Sequence, residues 1–91
     1  MPQHHVIGEF SLLLAELETI RGERLAAVYR LRRQVEHSPL PSLPHLALEA
    51  PELTDTMCWA ALERGDINGF QRCVSTAVAL RDFTAAAGLL P

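Results

Sequence analysis

Residues 10–35, FSLLLAELETIRGERLAAVYRLRRQV, decide the reading of this chain. At about 100° per residue, Phe10, Leu13, Leu14, Leu17, Ile20, Leu25, Val28, Leu31 and Val35 fall on one broad face, the period of an amphipathic helix. Glu9, Glu16 and Glu23 gather near one edge of the opposite side. At Gly22 either the helix continues or the chain turns and two shorter helices result; the apolar face keeps its phase across Gly22, so the spacing favours one continuous helix over about 7–36. The Gly22 position costs roughly 1 kcal/mol relative to Ala and is the place for a kink.

Arg21, Arg24 and Arg32 land inside the apolar sector. An arginine there can lay its aliphatic stem along the stripe and carry its guanidinium to the helix edge. It can also present a planar fork to carboxylates or phosphates of a partner.

Working outward, His37 to Pro51 changes character. Pro39, Pro41, Pro44 and Pro51 predict an extended or turning linker over 37–51, punctuated by Leu40, Leu43, Leu46 and Leu48 and laid against the helices. Pro41-Ser-Leu-Pro44 matches the minimal PxxP pattern but has no basic anchor beside it. A second helix is expected over about 52–64, ended by Gly65. Its apolar residues cover two sides, Leu53, Met57, Ala60 and Ala61 on one and Cys58, Trp59 and Leu62 on the other, which predicts burial on both. A third helix is expected over about 69–87, with Asn68 and Gln71 spaced as a capping box, Asp66 as a competing cap and Gly88 as terminator. Phe70, Cys73, Val74, Ala77, Leu80 and Thr84 form its main face.

The expected fold is therefore all-α: a single small three-helix domain over 1–91, with a long first helix, a Pro-rich linker and a C-terminal helical hairpin. Helix 1 at about 45 Å exceeds helix 3 at about 30 Å and helix 2 at about 20 Å, which leaves one apolar end bare. Such a surface calls for a second copy or another protein. The expected contact surface is Phe10, Leu13, Leu14 and Leu17, with Arg21, Arg24 and Arg32 setting orientation. This makes the chain a non-enzymatic protein–protein interaction module, an oligomeric bacterial adaptor, assembly factor or small chaperone, and a homodimer.

Composition bears on the alternatives. The 91 residues are 48% apolar and 21% charged, a balance that suits a folded globule. The net charge of −3 disfavours nucleic acid as partner, because that affinity rests on phosphate neutralisation by a basic surface. All eight basic residues are Arg and none is Lys. No apolar run approaches the roughly 20 residues of a membrane span, and Met1 to His5 has no leader pattern, so a cytoplasmic location is expected. Cys58 and Cys73 are expected to be reduced and buried. Adjacent His4 and His5 lack further ligands at metal-binding spacing, and no cofactor or metal is expected.

No phosphate loop, nucleophile elbow or His-x-x-x-His spacing suggests catalysis. Two alternatives of other classes remain. One is a helix-turn-helix-like DNA-binding regulator using Arg64, Arg72 and Arg81, since Ala61 and Gly65 repeat the Ala-x-x-x-Gly spacing of such turns. The other is a small dimeric helical enzyme holding an anionic substrate with the helix 1 arginines.

Overall fold

The computed structural model describes residues 3–20 and 25–89, and within them the chain is all-α. Four helices follow one another: α1 (Gln3–Glu18), α2 (Leu25–His37), α3 (Leu43–Glu63) and α4 (Ile67–Ala86), with a short 3-10 turn at Leu40–Ser42 before α3. Four helices thus stand in place of the three expected.

The long first helix is two helices folded against each other. Thr19 and Ile20 donate their backbone N–H groups to the carbonyls of Glu16 and Leu17, at 3.2 and 3.1 Å, tightening the last turn of α1. Ser11 Oγ then donates to Glu36 Oε2 at 2.7 Å. In one straight helix those residues would stand about 37 Å apart. Folding back buries the stripe on itself, with Phe10, Leu14 and Leu17 meeting Val28, Leu31 and Val35 in one core. Gly22, with Arg21 and Arg24, lies outside the described residues.

The expected linker is largely helix. Ser42 donates its N–H to the Pro39 carbonyl at 2.9 Å, and α3 starts at once with Pro44 in its first turn. That placement costs little, because a first-turn N–H has no partner inside the helix. Pro51 lies inside α3, where its ring removes a backbone hydrogen bond. The helix continues because Leu43, Leu46, Ala47 and Ala50 are all buried along one face. Thr54 also turns its hydroxyl to the carbonyls of Ala50 and Pro51, both at 3.0 Å.

Glycine ends α3 and α4 as their spacing predicts. Gly65 and Gly88 have φ of 75° and 72°. Beyond them Asp66 N–H reaches back to the Ala61 carbonyl at 2.9 Å, and Leu89 N–H to the Thr84 carbonyl at 2.8 Å. The N-cap of α4 is Asp66, which accepts from Gly69 N–H at 2.9 Å, so the Asn68–Gln71 capping box is not the one formed. A Cβ on residue 69 would lie 2.7 Å from Asp66 Cγ, so the cap requires the bare Gly69. Asp66→Ala leaves that N–H without its acceptor. It is expected to lower the melting temperature by about 5 °C, whereas Asp66→Asn, which still caps, keeps most of it; differential scanning calorimetry checks both.

The helices form an up-and-down bundle. Phe10 of α1 meets Phe83 of α4 edge-on at 6.0 Å between ring centroids, and Arg72 donates to Thr19 Oγ1 at the other end, so α1 and α4 run antiparallel. A shallow cleft lies between α2 and α3, lined by Ala27, Leu31 and Gln34 on one side and by Glu49, Leu53 and Thr56 on the other. Each helix packs on its two neighbours in the order α1, α2, α3, α4 and back to α1.

Candidate interaction surface

Phe10, Leu14 and Leu17 have no exposed surface, and Leu13 is half-buried against the same core. The N-terminal part of the expected helix 1 is therefore no bare end. α2, α3 and α4 supply the cover that a straight 45 Å rod would have lacked.

Arg32 is also turned inward along the bundle. Its Nε donates to Glu18 Oε2 at 2.6 Å, Nη2 to Glu18 Oε1 at 3.3 Å and Nη1 to Glu36 Oε2 at 3.3 Å, with its guanidinium carbon 5.3 Å from the Tyr29 ring centroid. The fork clamps the end of α1 to α2. Arg21 and Arg24, the other members of the expected row, lie outside the described residues. The Ser11 hydroxyl first, and then the Arg32 charge, hold Glu36 below the ordinary glutamate value despite partial desolvation. A carboxylate depressed in the folded state stabilises the fold above its unfolded pKa and loses that contribution as pH falls through its folded one. The stability difference between the wild type and Glu36→Gln, measured by urea unfolding, should therefore be largest near neutrality and close on acidification below about pH 4.

The exposed apolar surface lies elsewhere. Among the described residues the large apolar side chains most open to solvent include Leu48, Trp59 and Leu62 on α3 and Ile67, Val74 and Val78 on α4. Outside these two helices only Leu12 and Tyr29 join them. At 100° per residue Leu48, Pro51, Asp55, Trp59 and Leu62 fall within about 80° on α3, and Ile67, Val74, Val78 and Arg81 within about 60° on α4. Each helix therefore carries a second apolar stripe that the bundle does not cover.

Between the two stripes runs a groove of ≈ 300 Å³. Its floor is made of small residues, Ala47, Ala50, Thr54 and Ala77, and its walls include Pro51, Cys58, Val74 and Val78. Small side chains let a neighbouring element approach closely. Thr54 and Thr84 leave nothing polar unmet there, since each donates its hydroxyl to carbonyls of its own helix. Cys73 lies buried beneath the floor, its Sγ donating to the Thr54 carbonyl at 3.5 Å. Burial first, and then its neighbour Cys58, push the Cys73 thiol up to about 12, so it stays a protonated core group. The expectation of two buried thiols holds for Cys73, while Cys58 is half-buried at the groove wall; both are free.

Asp55 and Arg81 are the charges on this face. Both are exposed, and neither forms an ion pair with another described residue. Trp59, at 65% exposure, corrects the expectation that α3 is buried on both sides. The clue in the sequence is an excess: α3 and α4 hold apolar residues on more of their circumference than a bundle helix needs for its core.

The other arginines are placed as follows. Arg64 Nη2 donates to Asp66 Oδ2 at 3.3 Å, and Arg72 reaches Thr19. α3 and α4 form an antiparallel hairpin about Gly65, with the Cys73 thiol of α4 bonded to the Thr54 carbonyl of α3. Among the described residues no group of three or more His, Cys, Asp or Glu side chains could hold a metal ion, and no helix is long and apolar enough to cross a membrane. Compared with models of protein families, with curated proteins and with solved structures, the chain matches none.

Proposed function

We propose that this chain is a protein–protein interaction module, an adaptor or assembly factor that docks a partner on the outer face of α3 and α4. The observation that carries the reading is the second apolar stripe on each of these helices, flanking a small-residue groove. Exposed apolar residues scattered singly are ordinary, but six gathered on one helical hairpin mark a surface that binds protein. A helix laid along the groove would bury its own apolar stripe against Val74, Val78 and Leu48. A reducing cytoplasm suits the two free thiols.

Photo-crosslinking tests the surface. A benzophenone side chain replaces Leu48 or Val78 on the face, or Tyr29 on α2 as control, and adducts are identified after irradiation in the source cells. Protein adducts from positions 48 and 78 but not from 29 are expected. Adducts from 29 alone would overturn the reading.

A further inference from the structure

We infer that the occupant of the α3–α4 face is an α-helix of another protein, whose apolar stripe is flanked by a basic residue that meets Asp55 and an acidic one that meets Arg81. The inference rests on the interaction face proposed above and adds the form of the partner and its charge pattern.

The groove itself selects a helix. Among its lining residues Thr54 and Thr84 donate their hydroxyls to carbonyls of their own helices, and Pro51 on the wall has no N–H to offer. Most of the remaining floor is alanine. An extended segment laid there would turn its own N–H and C=O groups toward apolar side chains, at a cost of about 1–3 kcal/mol for each one left unmet. A helix brings those groups already paired and needs only an apolar stripe. The small floor, with ≈ 300 Å³ of open volume, leaves room for the large side chains of that stripe. Counted from Gly65 along α3, the groove runs from Cys58 at about 10 Å to Ala47 at about 27 Å, about three turns of helix.

Charge sets the rest. Of the residues that line the groove, Asp55 and Arg81 are the charged ones, and they stand on opposite walls, Asp55 on α3 and Arg81 on α4. Glu52 and Asp82, exposed on the same helices, lie outside that lining. Counted from Gly65, Asp55 lies at about 15 Å and Arg81 at about 24 Å, so their levels differ by about 9 Å. On a helix the residue five positions on stands about 7.5 Å further along and about 140° round, and the residue six on about 9 Å further and about 120° round the other way. The two spacings serve the two possible diagonals across a groove, and either one puts a charge on each flank of the stripe at the separation the walls require. The partner helix therefore carries its basic and acidic residues five or six positions apart. A helix with two like charges there would gain one opposite-charge contact and meet one repulsion.

Dye-labelled helical peptides of about 18 residues, built from Leu, Ala and Gln, test the pairing by fluorescence anisotropy at physiological salt. One set carries Arg and Glu on the flanks of the Leu stripe at each of the two spacings. The controls carry two Arg, two Glu, or an Arg and a Glu moved to the side opposite the stripe. The wild type is expected to bind one of the flanking Arg and Glu peptides about tenfold more tightly than any control. Its net charge of −3 would by itself favour the two-Arg peptide, so this preference reads the two walls and not the overall field. Asp55→Arg is expected to transfer the preference to the two-Glu peptide, and Arg81→Asp to the two-Arg peptide. Both substitutions are at exposed positions, and circular dichroism verifies that each variant is folded. Equal binding of all the peptides, binding of none, or a preference that neither substitution moves would overturn the inference. Adducts from positions 48 and 78 that join two copies of this chain would overturn it too, giving the face to a second copy. Adducts from 48 and 78 to another protein, alongside peptides bound without regard to charge, would remove this partner and leave the interaction face intact.

Discussion

Phe10→Ala is expected to destabilise the fold by about 3–5 kcal/mol, the cost of removing a large aromatic from a packed interior. Phe10 has no exposed surface, belongs to the core that joins all four helices, and meets the Phe83 ring edge-on at 6.0 Å. The aromatic pair adds to the loss, since neither solvent nor a neighbouring side chain replaces the missing ring. Against the 5–15 kcal/mol that holds most domains folded, such a loss leaves a marginal fold. Urea unfolding at several protein concentrations checks the prediction. If Phe10 were instead an intersubunit anchor, the substitution would leave the monomer stable and change only a concentration-dependent association. A midpoint that falls at every concentration alike is the expected outcome.

Leu43→Ala should cost about 2–5 kcal/mol, and Leu48→Ala under 1 kcal/mol. The two leucines lie five residues apart in a stretch whose prolines read as a linker. Leu43 has no exposed surface, whereas Leu48 is 54% exposed on the outer face of α3. A loosely laid linker would tolerate both truncations about equally, since a mobile segment refills the space that a side chain leaves. Chemical denaturation of the pair of variants therefore measures whether this segment is part of the core.

What the amino-acid sequence by itself determined are the features that depend on a few neighbouring residues. Apolar spacing near 3.6 makes the chain all-α, Gly65 and Gly88 end α3 and α4 because a left-handed residue closes the last turn, and a cap was legible just before α4, at Asp66 or Asn68. Cys73, on the main apolar face of its helix, is buried as that position predicts. Gly22 marked where the chain could turn, but the choice between a straight helix and a fold-back was not legible, because both satisfy the same apolar phase; only the energy of burying Phe10, Leu14 and Leu17 against Val28, Leu31 and Val35 separates them. The helix through Pro44 and Pro51 was hidden for a related reason, since the local penalty of an internal proline is offset by distant contacts of Leu43, Leu46 and Ala50. The exposed apolar surface lies on α3 and α4 instead of α1 by the same tertiary decision. α3 and α4 each carry apolar residues on two faces, and only the packing of α1 and α2 onto one of them leaves Leu48, Trp59, Val74 and Val78 on the other.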